Sequence, residues 1–424
     1  MIALAALTPR RLRQLWYMPL LVLAMGLMMA RTLVMARLLD VPGFAQFSAG
    51  QLVSSTFSML GCLGLQPLLQ REMPVQIVRR RERAAAVLTM QCLLVAAACA
   101  LVGLLLAAGG LSAAGLGPGL LAVGVLHGLS QQVFLISTVE SRSRGEPVFF
   151  ARQNLERAGL AFAAGCGVAL LVGSAGPVLL TEAAVSYLLT WRAMGRVLRP
   201  SALGLRRAGA VALHRIRRLP WGSATALLAL MFVSFLFLNA DRWFAADLLP
   251  HSGFAVYAFA WVLLSVAQSV QIVINASFYP LLARRYASHG RRAAFRFCAI
   301  ASIGLLAVCV VGLWPVDWLL GAIVGRWFPA YDAARAIFAI FLVVAALRVS
   351  DFWSSYLVIV GVERRLLAVY VVVGVVVCGA WVLAVRPWAG GTFGVVEVAW
   401  LACGLTVAGY ASALATAWLN RRDR

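Results

Sequence analysis

Apolar runs of about 20 residues, the length a helix needs to cross ~30 Å of hydrocarbon, recur along the whole chain with short polar breaks between them. The pattern predicts twelve spans: 16–36, 44–66, 85–108, 119–139, 158–174, 177–195, 221–246, 254–279, 296–314, 333–356, 366–385 and 394–418. The first follows Arg10, Arg11 and Arg13. It is too long for a signal-peptide core and lacks a small-residue cleavage site, so it reads as a retained helix.

Composition agrees with this reading. The 424 residues are 62% hydrophobic with a mean hydropathy of +0.90, against roughly 45–50% apolar in soluble domains. All 37 basic side chains are arginine, and the net charge is +22. In a soluble chain that charge would suggest nucleic acid. Here the arginines sit in alternate loops, 30 on one side and five (Arg37, Arg242, Arg326, Arg335, Arg386) on the other. That bias predicts a multi-pass protein of a bacterial inner membrane with both termini cytoplasmic, and it makes anionic lipids expected partners in place of nucleic acid. The eight cysteines lie in apolar runs without metal-ligand spacing and read as small buried hydrophobes. Neither a metal nor a cofactor is expected.

The two halves resemble each other. Ala36-Arg-Leu-Leu-Asp-Val-Pro-Gly-Phe-Ala-Gln-Phe47 aligns with Ala246-Asp-Leu-Leu-Pro-His-Ser-Gly-Phe-Ala-Val-Tyr257 at an offset of 210 residues, and Pro67-Leu-Leu-Gln-Arg71 aligns with Pro280-Leu-Leu-Ala-Arg284. Six spans separate the copies, so the repeat is parallel; chance likeness between apolar segments is the competing account. The division is residues 1–195 (spans 1–6), a basic linker 196–220, and residues 221–424 (spans 7–12). The linker interleaves seven arginines with Leu203, Leu205, Val211, Ala212, Ile216 and Leu219. It reads either as an amphipathic segment on the cytoplasmic leaflet or as a solvated connector.

Asn239-Ala-Asp-Arg242, Gly253-Phe-Ala-Val-Tyr257 and Tyr279-Pro-Leu-Leu282 closely resemble the second-half signature of Wzx-type polysaccharide flippases. Ala36-Arg-Leu-Leu-Asp-Val-Pro-Gly-Phe44 and Leu63-Gly-Leu65 up to Arg71 fit the opening one. The resemblance covers most of the chain through loose motifs shared with MATE-type multidrug exporters and lipid II flippases. It implies an all-α membrane protein with two six-helix lobes in a V around a central cavity. It also implies alternating access and an undecaprenyl-diphosphate-linked oligosaccharide moved to the periplasmic leaflet for O-antigen, capsule or exopolysaccharide assembly. The polymerase and glycosyltransferases of such a pathway become candidate partners. The chain lacks room for the two extra helices typical of lipid II flippases.

Charges inside a membrane mark candidate sites, because each costs about 2.5–3.5 kcal/mol to insert at mid-bilayer. Arg31 lies past the middle of span 1 and either snorkels outward or lines the cavity, where its planar fork could hold a diphosphate. Arg348 and Asp351, with Ser355, share a face of span 10; they either satisfy each other or face the cavity. Arg31 and Arg348 together are the expected diphosphate ligands, one from each lobe. Asp241 either pairs with Arg31 across the lobes or caps its helix at the surface. Glu182, near the outer end of span 6, and Asp351 are the carboxylates first in line for ion coupling. Polar stripes (Gln51, Ser55 and Ser58 on span 2; Ser265, Gln268, Gln271 and Asn275 on span 8; His127 and Gln131 on span 4) either bind sugar or bond helix to helix.

Three functions compete. A lipid-linked-oligosaccharide flippase suits arginines in the cavity. A MATE-type cation-coupled exporter would place carboxylates deep in the first lobe, where Glu182 is the one candidate. A membrane glycosyltransferase or polymerase would need a polar domain, and the longest outer segment, Pro315 to Asp332, is short and apolar. With no Walker, Rossmann or paired-carboxylate loop motif, enzyme chemistry is not expected.

Overall fold

The computed structural model describes residues 17–112, 115–385 and 393–421. Arg10, Arg11, Arg13, Arg386, Arg422 and Arg424, all counted in the loop bias, lie outside the described residues. The helices in order are α1 Tyr17–Leu38, α2 Val41–Leu60, α3 Leu65–Val78, α4 Glu82–Ala108, α5 Pro118–Ser143, α6 Pro147–Val172 and α7 Ala175–Leu198. Then come α8 Leu205–His214, α9 Trp221–Leu248, α10 His251–Trp327, α11 Arg335–Ser350, α12 Trp353–Val360, α13 Glu363–Val385 and α14 Val395–Leu419. No strand occurs among the described residues. Ten helical stretches are long and apolar enough to cross a membrane, or 11 if the bent pair α2–α3 counts as one span. Twelve were expected; α7, which carries Thr181, Glu182, Ser186 and Thr190, is not among those that qualify.

Local chemistry sets several boundaries. Asp40 caps α2, its Oδ1 accepting the Gly43 N–H at 2.9 Å, with Pro42 in the first turn. Pro147 starts α6 directly after Glu146, about three turns earlier than expected, and this carries Arg157 into the helix. Other runs are broken where hydropathy shows no gap. The α2–α3 pair bends by 51°. Between spans 8 and 9, where the basic stretch at residues 284–296 predicts a loop, the chain instead stays helical on both sides of a change of direction at Gly290 (φ 75°, ψ −176°). Span 10 is interrupted at Asp351 and Phe352, between α11 and α12. The outer segment expected from Pro315 is helical as far as Trp327.

By its contacts the chain divides into two units, Met1–Phe232 and Val233–Arg424. In the first, α1 packs on α6, and α5 lies between α2 and α7. The linker helix α8 seats Ala208 and Ala212 against Val87 and Met90 of α4, leaving Arg206, Arg207, Arg215, Arg217 and Arg218 exposed. In the second unit, α10 packs along α11, and α14 packs on α11 and α13.

At the end of the first unit that the arginine bias assigns to the cytoplasm, ion pairs join three helices. Arg144 donates to Glu82 at 2.9 Å and to Glu140; Arg196 donates to Glu140 at 3.3 Å and to Glu146. Burial pulls the Arg144 guanidinium down, but Glu140 and Glu82 outweigh it and raise its pKa above the ordinary value. Its charge therefore supports the fold at every pH below that ordinary value, and the support is lost only as pH rises through the still higher folded value.

Candidate functional site

The densest buried polar cluster of the first unit is built on Glu182 of α7. Its Oε2 accepts from Arg31 Nη1 of α1 at 2.7 Å, from Gln51 Nε2 of α2 at 3.3 Å, and lies 3.2 Å from His127 Nε2 of α5. Arg31, His127 and Glu182 are 4%, 0% and 1% exposed, so these three are sealed from solvent, while Gln51 is partly exposed. His127 Nδ1 is 2.8 Å from the Ser54 hydroxyl. A neutral ring satisfies both neighbours by donating Nε2–H to Glu182 and accepting the serine proton at Nδ1. Gln131, one turn along α5, accepts from Arg157, which also donates to Ser186 Oγ at 3.1 Å and lies 4.7 Å from the Phe134 ring centre. Two guanidinium groups thus surround one carboxylate.

Close backbone approach makes this cluster possible. A Cβ added to Gly128 would stand 2.8 Å from Ser54 O and 2.8 Å from Phe57 Cβ. Only glycine lets α5 press on α2 at that point, and the same contact carries the neighbouring His127 onto Ser54.

These positions correct several expectations. Arg31 does not snorkel, because Glu182 of its own unit holds it. Glu182 is not a residue of the outer mouth: it lies two turns into α7, at the centre of the cluster. Arg157 and Arg242 had been counted with the loops. The first joins the cluster, and the second is buried in α9 with its guanidinium 4.0 Å from the Trp261 ring centre. The Gly-Glu-Pro start at residues 145–147 was the sequence signal for Arg157. Of the span 2 stripe only Gln51 reaches the cluster; Ser55 and Ser58 donate to backbone carbonyls of their own helix.

The second unit has its own polar core. Asp241 of α9 accepts the Tyr257 hydroxyl proton at 2.6 Å and is fully buried, so it is no surface cap. Arg348 of α11, 5% exposed, is a charge neighbour of Asp241 and Tyr257. It is not paired with Asp351, whose Oδ1 instead accepts the Trp353 N–H at 3.1 Å and the Ser354 N–H at 3.4 Å, while Oδ2 accepts the Ser354 hydroxyl at 2.8 Å. Asp351 thus caps α12 at the break in span 10. Gln271 donates to the Asp351 carbonyl at 3.2 Å and Ser355 donates to Asn275 at 3.0 Å, so the lower part of the α10 stripe satisfies that break. The repeat shows in contacts as well: Arg31 stands 5.7 Å from the Phe47 ring centre, and the residues 210 positions on, Asp241 and Tyr257, share a hydrogen bond.

No family model matches the chain, and no curated protein matches it. Solved structures do. A multidrug resistance MATE family transporter of the MOP superfamily, in its outward-facing conformation, superposes with a TM-score of 0.56 at 15% identity, over 96% of this chain and 95% of that one. The inward-facing conformation of such a transporter gives 0.55 at 14% identity, over 95% and 94%. The eukaryotic MATE transporter AtDTX14 gives 0.55 at 11% identity, over 96% and 100%. The chain is an all-helical membrane protein with the fold of MATE transporters. The likeness is one of fold and does not extend to the flippase subtype.

Proposed function

We propose that the chain is a secondary transporter that uses the Glu182 cluster to couple an ion gradient to the passage of an anionic, lipid-linked oligosaccharide. The observation that carries this reading is the charge balance of the buried sites. Glu182 is set against Arg31 and Arg157 in the first unit, a surplus of one positive charge, while Asp241 and Asp351 balance Arg242 and Arg348 in the second. A buried surplus of positive charge disfavours a cationic cargo and favours an anionic one. Coupling is the part that the MATE-type exporters of like fold support best, and Glu182 is the carboxylate placed for it. Proton uptake by His127 would turn its hydrogen bond to Glu182 into an ion pair that competes with Arg31 for the same oxygen. The Ser54 hydroxyl would then have to accept from Nδ1 and no longer donate to it.

The test is complementation of a bacterial strain lacking its polysaccharide flippase, with accumulated undecaprenyl-linked sugar followed by mass spectrometry. Restored surface polysaccharide, and loss of that restoration in His127→Asn without loss of membrane insertion, is the expected result. A chain that leaves the lipid-linked sugar accumulated but expels cationic dyes is instead a cation-coupled drug exporter. That outcome ends the anionic-cargo reading.

A further inference from the structure

In the second unit, several buried donors have no acceptor. Arg348 Nη1 and Nη2, Arg242 Nε, Trp261 Nε1 and Gln268 Nε2 are all sealed from solvent and unbonded. Arg348 matters most among them, because an unpaired guanidinium in a dry interior is among the least favourable arrangements a protein can hold. Asp241 compensates it only as a neighbouring charge, since its Oδ2 is taken by Tyr257 and its Oδ1 is itself unbonded.

The register of the two helices places these donors. Gln271 bonds to Asp351 and Asn275 to Ser355, both across a sequence separation of 80. The first part of α10 and the α11–α12 span therefore run side by side in constant register. The same separation of 80 sets Gln268 level with Arg348. Tyr257, Trp261, Gln268, Gln271 and Asn275 fall on one stripe of α10, within about 80° at 100° per residue. Along that stripe the side chains level with the Asp351 break are bonded, and those one turn before it are not. A planar guanidinium edge and a carboxamide N–H₂ at one level form a donor set for an oxyanion, the fork meeting two oxygens of one group.

We propose that Arg348 and Gln268 form an oxyanion subsite of the phosphate class inside the second unit, reached when α10 parts from α11 beside the Asp351 break. It rests on the reading that the cargo is anionic. It also narrows that reading, since Arg31, neutralised by Glu182, is not a ligand. Arg242, stacked on Trp261, supplies background positive charge.

The full-length protein in lipid nanodiscs tests this by calorimetric titration with inorganic pyrophosphate in one arm and undecaprenyl diphosphate in the other. Binding in either arm that weakens about tenfold or more in Arg348→Gln, and measurably in Gln268→Leu, is expected; Arg348→Lys should fall between, keeping charge but losing the fork. Pyrophosphate binding would show that the phosphate itself is read. Binding of the lipid alone would show that the polyprenyl chain is needed to bring the headgroup in. Arg335→Gln, whose parent side chain pairs with Asp332 on the surface, should bind like wild type. Should Arg348→Gln fail to fold, the uncharged exchange at Gln268 still decides. Absence of binding in both arms, or binding unchanged in the Gln268 and Arg348 variants, overturns the subsite. Complementation without anion binding sinks the subsite alone, whereas Gln268-dependent binding without complementation sinks the flippase reading alone.

Discussion

Glu182 accepts from two side chains and meets a third at one oxygen in a sealed interior, so its charge cannot be removed quietly. Glu182→Gln leaves the Arg31 guanidinium without a counter-charge, and breaking a buried pair from one side costs about 3–5 kcal/mol. We expect a correspondingly lower unfolding midpoint in detergent. The double variant Arg31→Met, Glu182→Leu should recover most of the loss, because two apolar groups of similar volume need no partner. A double variant no more stable than Glu182→Gln would show that the pair is not the unit of cost. Sequence reasoning had singled out Arg31, Gln51, His127, Gln131 and Glu182 one at a time, since charge and amide groups stand out in apolar helices. It could not show that four separate helices bring them to one carboxylate. For that reason it missed that Glu182 holds Arg31, and it left Asp351 open between an ion pair with Arg348 and a cavity-facing charge, when its carboxylate caps α12.

Helices are the elements that hydropathy reads best, and here their breaks are what it missed. The Gly-Cys-Leu-Gly stretch at residues 61–64 and the interruption at Asp351 both lie in segments apolar enough to pass for continuous spans. Asp351 with Ser354 is a capping pattern, but inside an apolar run it looks the same as an intramembrane charge. Glycines were just as ambiguous, since about half of the described ones have open space around them and the rest meet a neighbour within 4 Å. Gly128 is one of the contact points. Gly128→Ala should force α5 away from α2, lengthen the His127–Ser54 contact and destabilise the fold by about 1–3 kcal/mol, the usual range for overpacking. Gly159→Ala, where an added Cβ meets nothing within 4 Å, should be silent or slightly stabilising in the same melting experiment. Equal effects at the two glycines would mean that close packing of α5 on α2 does not hold the cluster in place.

At the scale of the whole molecule, the arginine bias predicts which way round the chain sits in a membrane. Arg157 lies in the Glu182 cluster and Arg242 is buried in α9, one from each side of the tally, which leaves 29 arginines against four. The linker helix α8 exposes Arg206 and Arg207. The positive-inside rule predicts the cytoplasmic face for it, where anionic headgroups would attract each arginine by about 1 kcal/mol. The short turn Pro329–Ala334 between α10 and α11 follows the exposed Trp314, Trp318 and Trp327, and aromatic side chains of that kind gather at a membrane interface. The two loops are separated by α9 and the two arms of α10; if each crosses the membrane, the odd number predicts that the loops face opposite sides. In a background with the eight native cysteines replaced, Ala330→Cys should react with a membrane-impermeant maleimide in intact spheroplasts. Ala210→Cys should react only after permeabilisation. The reverse pattern would invert the molecule, put the α8 arginines outside and make outward passage of a cytoplasmic lipid-linked sugar the wrong direction. Labelling of both sites from outside would mean that one arm of α10 does not cross, and the Arg348 level would then no longer lie at membrane depth.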